Sequence, residues 1–102
     1  MQQANISAKD VTTEHIQQWK EKYGDIFKVE VDGKACFLKK PDRKTLGYAS
    51  TVKDTIKYNE IVLNGSWLAG DEELKTNDSL FFAVSAKLGE LIETKEADLV
   101  KL

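Results

Sequence analysis

The chain has 102 residues, 41% of them hydrophobic and 31% charged, which supplies apolar material for one domain core and no more. Seventeen Asp and Glu outweigh fifteen Lys and Arg, and a net charge of −2 excludes a bulk basic field that would draw the chain to nucleic acid or anionic lipid. The longest apolar run, Leu80-Phe81-Phe82-Ala83-Val84, is too short to span a membrane, and one Cys and one His exclude an internal disulfide and the usual zinc clusters.

The opening residues, Met1-Gln2-Gln3-Ala4-Asn5, carry no basic-then-apolar leader pattern, so a cytoplasmic protein is expected. Residues 1–11 are polar and aperiodic and read as a flexible arm. Residues 12–102 read as a single α+β domain. Thr12 or Thr13 caps a helix running to about Tyr23, with Ile16, Trp19 and Tyr23 on one face and Gly24 ending it.

A hairpin follows. Ile26 to Val31 alternates, Asp32-Gly33 is a preferred type I′ turn, and Lys34 to Leu38 returns. Pairing Val31 with Lys34 sets Val29 opposite Cys36 and Phe27 opposite Leu38, so these four share a face while Lys28 and Glu30 point away. Cys36 then reads as a small core residue rather than a reactive thiol.

Pro41 breaks the strand and Asp42 can cap a helix. Leu46, Ala49, Val52 and Ile56 repeat by three and four, which predicts a helix from Arg43 to about Ile56. A second helical stretch spans about Tyr58 to Leu63, with Asn64-Gly65 marking its end or a kink. Trp67-Leu68-Ala69 reads as an apolar plug before a turn at Gly70-Asp71, and Leu74 stands alone among charged neighbours. Asn77 or Asp78 caps a last helix whose Leu80, Phe81, Val84, Leu88, Leu91 and Ile92 form a broad stripe that Gly89 can bend. The tail from Thr94 ends Leu99-Val100-Lys101-Leu102, as a loosely packed helix end. The fold expected is one β-hairpin packed with four to five helices. Two strands alone are marginal in water, so helices or another subunit must cover their apolar face.

Residues for chemistry are few. His15, beside Glu14 in a first helical turn, reads as a solvated surface histidine rather than a general base. No serine lies in a Gly-x-Ser-x-Gly context, and the six glycines build no phosphate-cradling loop. Asp71, Glu72 and Glu73, with Asn77 and Asp78, are the densest set of oxygen ligands but lack calcium-loop spacing, and the carboxylates among them read as acids at a helix start. Glu90, Glu93 and Glu96 read as a solvated helix face. Lys39, Lys40, Arg43 and Lys44 have no interleaved aromatic residue and read as a charged edge rather than a phosphate-binding site. The expectation is a non-enzyme with no metal or cofactor.

Apolar surplus remains. Phe81 and Phe82 point about 100° apart on a helix, so either that helix is buried nearly all round or one ring faces a partner. Trp67 beside Leu68 is either an exposed binding anchor or a plug folded back into the core.

The order of features resembles a known family. A strand ending Phe37-Leu38-Lys39-Lys40-Pro41-Asp42-Arg43 leads into a helix. Asn59-Glu60-Ile61-Val62-Leu63-Asn64-Gly65-Ser66-Trp67 and Gly70-Asp71-Glu72-Glu73 follow, and Ala86-Lys87-Leu88-Gly89-Glu90-Leu91-Ile92 closes the series. Over roughly residues 23–95 this is similar to the small tail assembly chaperones of tailed bacteriophages and their prophage relatives. Gly65 departs from that pattern, in which a cysteine is common. The resemblance implies a non-catalytic protein of the host bacterial cytoplasm that binds the helical tape measure protein, shields its apolar surface and helps recruit tail-tube subunits. It implies the short form of a pair whose longer form arises by frameshift. The candidate partner-binding residues are Tyr48, Val52, Trp67, Leu68, Phe81 and Phe82, and self-association into a homo-oligomer is expected. The competing reading is a structural virion component or small oligomeric phage adaptor, whose apolar surface would form permanent subunit contacts.

Overall fold

The computed structural model describes residues 5–92 and 96–102. Its helices are α1 (Thr13–Tyr23), α2 (Arg43–Ala49), α3 (Thr55–Ser66), α4 (Glu73–Thr76) and α5 (Asp78–Leu88). Its strands are β1 (Ile26–Val31), β2 (Lys34–Lys39) and β3 (Trp67–Gly70), with short 3-10 turns at Ala8–Asp10 and Gly89–Leu91. The architecture is α+β, one small domain built on a three-stranded antiparallel sheet in the order β1-β2-β3.

The hairpin register is the expected one: Val31 pairs with Lys34, Val29 with Cys36 and Phe27 with Leu38. Asp32 and Gly33 both take positive φ, 50° and 78°, as a type I′ turn requires. Phe27, Val29, Val31, Cys36 and Leu38 pack on the main core, which Ala49, Val62, Leu63, Leu74, Phe81, Val84 and Leu88 complete from the helices. Leu74, alone among charges in the sequence, is fully buried.

The third strand replaces the expected plug. Trp67 pairs with Leu38, Ala69 with Phe37 and Gly70 with Cys36, and Leu68 is the extra residue of a β-bulge. Gly70 has φ 153°, and a Cβ there would lie 2.5 Å from the Cys36 Cα, so only glycine lets β3 approach β2 this closely. With strands on both sides, β2 is central. Ala35 and Phe37, on the face away from the main core, are buried as well. Trp19 of α1 covers Phe37, ring centroids 5.9 Å apart.

The segment expected to be a flexible arm is fastened from Asn5 onward; residues 1–4 lie outside the described residues. The Gly70 N–H donates to the Ile6 carbonyl at 2.8 Å, and the Asn5 side-chain amide donates to the Gly70 carbonyl at 2.7 Å. The Asp71 carboxylate accepts the backbone N–H groups of Ala35 (3.0 Å) and Ala8 (3.4 Å), while its own N–H donates to the Ala35 carbonyl (2.9 Å). Asp71 thus clips the N-terminal segment to β2 rather than simply starting a helix.

The helix expected over 43–56 is two helices. Asp42 caps α2 by accepting the Thr45 N–H at 2.7 Å. After Ala49 the Ser50 and Thr51 hydroxyls turn back to the carbonyls of Gly47 and Tyr48, and Asp54 caps α3 by accepting the N–H groups of Ile56 and Lys57. Competing hydroxyl–backbone bonds of this kind end helices. Asn64-Gly65 ends nothing: α3 runs through it to Ser66, and a Cβ at Gly65 would lie 2.4 Å from Thr45 Cγ2. Its hydrogen is what lets α2 and α3 pack. Asn77 caps α5, accepting the Leu80 N–H at 3.1 Å. Residues 96–102 carry no secondary structure and are exposed, which corrects the expected helix end; Glu93 and Thr94 lie outside the described residues.

Candidate functional site

The apolar stripe of α5 resolves the pair Phe81 and Phe82. Leu80, Phe81, Val84 and Leu88 turn into the core, leaving Phe81 7% exposed and Phe82 52% exposed, their rings tilted at 5.8 Å. Phe81 is therefore core and unavailable to a partner, which corrects its place among the contact residues. Phe82 meets solvent.

Further exposed apolar side chains flank the break between α2 and α3. Tyr48 on the last turn of α2 is 62% exposed, and Ile56 on the first turn of α3 is 47% exposed, with half-buried Val52 between them in the chain. Tyr48 and Val52 are two of the expected contact residues, and Ile56, expected on one helical stripe with Leu46, Ala49 and Val52, belongs to a separate helix after the break at Ser50–Asp54.

Trp67 is engaged in the fold. The Trp67 indole packs against the core, its N–H donates to the Asn5 side-chain carbonyl at 2.8 Å, and the Lys75 ammonium sits 4.1 Å from its ring centroid. Burial lowers the Lys75 pKa from its ordinary value. Trp67 closes the seam between β3, α4 and the N-terminal segment, so the core-plug alternative describes it and the exposed anchor does not. Leu68 is half-buried in the bulge.

The polar candidates also have structural employment. His15 is part of a reciprocal capping box with Thr12, its Nδ1 accepting the Thr12 N–H at 3.0 Å, and its ring stacks on Trp19 at 5.9 Å. It is half-buried rather than fully solvated. The Lys39 ammonium lies 4.5 Å from the Tyr23 ring, and Lys40 pairs with Asp25 at 3.6 Å. Cys36 is fully buried, and burial pushes its thiol up to about 11. Among the described residues, no three His, Cys, Asp or Glu side chains gather to hold a metal, and no helix is long and apolar enough to cross a membrane.

A groove of about 800 Å³ runs between β1 and α5, lined by residues 27–32 on one side and by Ala83, Lys87, Glu90 and Leu91 on the other. None of the six expected contact residues lines it. Consecutive strand residues reaching one groove signal an open edge, and only the three-dimensional placement of α5 beside that edge makes it concave.

Comparison of the chain with known protein families, curated proteins and solved structures finds no match.

Proposed function

We propose that this protein is a non-catalytic binding protein that captures apolar helical surface of a larger client. The phage tail assembly chaperones it resembles in sequence suggest a tape measure or other tail protein as that client. The observation carrying this reading is Phe82, half in solvent on α5 while its neighbour Phe81 fills the core. A large aromatic side chain held rigidly on a helix loses little conformational freedom when covered, which suits it to anchor a partner. Tyr48 on α2 and Ile56 on α3 are further exposed apolar side chains. Contacts of this size and dispersion favour a reversible complex over a permanent one, as handing on a client requires.

Co-expression with the tape measure protein of the same genome tests the proposal. The client should remain soluble with this chain and aggregate without it, and the two should co-purify. Equal aggregation in both cases contradicts the reading. So does recovery of this chain as a stoichiometric component of purified virions, which would favour the structural alternative.

A further inference from the structure

The two edges of the sheet are treated differently. The β3 edge is covered by Asn5 and Ile6, whereas no described segment pairs with β1 on its outer side. A two-residue hairpin alternates the direction of its peptide groups: Val31, Val29 and Phe27 bond to β2, and Glu30, Lys28 and Ile26 face outward. The partner side of the ladder obeys the same alternation, because Ala35, opposite Glu30, turns its N–H and carbonyl to Asp71 on the β3 side. Among the described residues, the outward backbone groups of β1 therefore have no strand partner along the groove shared with α5.

The chain also carries an exposed segment outside its helices and sheet. Glu96-Ala97-Asp98-Leu99-Val100-Lys101-Leu102 has no secondary structure and leaves Leu99 and Leu102 fully exposed, clear of the groove of its own copy. The geometry points to this segment of a second copy as the occupant of the β1 groove, added antiparallel to the edge. This goes beyond the proposed client binding and uses different residues.

Charge selects the register. With Asp98 opposite Lys28, antiparallel pairing sets Leu99 opposite Phe27, Ala97 opposite Val29 and Lys101 opposite Asp25. Of the registers that oppose Asp98 to Lys28, the antiparallel one alone also gives Lys101 an acidic neighbour, Asp25 just before β1, which Lys40 already holds at 3.6 Å. Leu99 and Ala97 then face the apolar side of the groove, beside Leu91 and Ala83. Glu96 falls opposite Glu30, the single like-charged pair, and Glu30 is already bound to Lys28 at 2.9 Å. Exposed charges on an edge strand discourage unselective pairing, so Lys28 would favour a strand that sets an acidic residue opposite it. Reciprocal exchange of two tails closes a two-fold dimer.

Sedimentation velocity on the full chain over a micromolar concentration series tests this. The parent should self-associate, and Leu99→Asp, on an exposed segment that the monomer fold does not use, should raise the dissociation constant about tenfold or more. Lys28→Glu and Asp98→Lys should each weaken association, and the two together should restore most of it. A strictly monomeric parent, association indifferent to Leu99→Asp, or a charge exchange without recovery would each overturn the inference. Client capture should survive Leu99→Asp, and self-association should survive Phe82→Ser, so the two readings fail separately.

Discussion

The indole N–H of Trp67 donates to the side-chain carbonyl of Asn5 at 2.8 Å, joining residues 62 positions apart. The Asn5 amide, through its NH2, also holds the Gly70 carbonyl, so one side chain bridges both ends of β3. Losing it leaves two polar partners to water or to nothing. Asn5→Ala should cost about 1–2 kcal/mol in denaturant unfolding and speed hydrogen exchange at Gly70, whose N–H is held by Ile6. Trp67→Ala should cost more, about 3 kcal/mol, because it also empties a core-facing site. A Trp67→Ala midpoint equal to the parent's would return Trp67 to the role of exposed anchor.

Gly65 is predicted to be a packing glycine. Alanine is the better helix former by about 1 kcal/mol, yet its Cβ would lie 2.4 Å from Thr45 Cγ2 and 2.7 Å from its Oγ1. Gly65→Ala should therefore be net destabilising by about 1–2 kcal/mol, in the range of overpacked cores. Adding Thr45→Ala removes both close atoms, and the double variant should recover most of that loss. Thermal melts of the four proteins in the cycle give the coupling; simple additivity would contradict the clash.

Cys36 makes stability fall at alkaline pH. Its thiol titrates near 9 when free and is pushed up to about 11 by burial in the fold. Between these values the unfolded chain releases a proton that the folded chain keeps, so stability declines as pH rises, by at most about 1.4 kcal/mol per pH unit. Lys75, whose pKa burial lowers, acts in the opposite sense just below its ordinary value, so the comparison needs Cys36→Ala. The stability difference between parent and Cys36→Ala should shrink across pH 9 to 11. At neutral pH the thiol should react with iodoacetamide only after unfolding, and rapid native labelling would contradict its burial.

Local signals carried the hairpin, the caps at Thr12, Asp42 and Asn77, and the core face of α5, because alternation, turn chemistry and capping act within a few residues. The third strand is a long-range event. Trp67-Leu68-Ala69-Gly70 is too short for its own period to show, and it is a strand only because β2 offers an edge. The clue lay in β2 itself: Ala35-Cys36-Phe37-Leu38 is apolar without alternation, the mark of a strand buried on both faces. The break at Ser50–Asp54 is hidden in the sequence by an apolar periodicity that runs through it to Ile56. Phe81 and Phe82 could be told apart only by the direction from which the core meets α5, and the groove beside β1 has no sequence signature.

Phe82 carries the account of function. Its side chain is half in solvent, so Phe82→Ser should leave thermal stability within about 0.5 kcal/mol of the parent. Titrating a soluble helical fragment of the co-encoded tape measure protein into both proteins by calorimetry measures what the ring contributes to binding. The account predicts binding by the parent and at least about tenfold weaker binding by Phe82→Ser at an unchanged melting temperature. Equal affinities for the two proteins, or no binding by either, would contradict it.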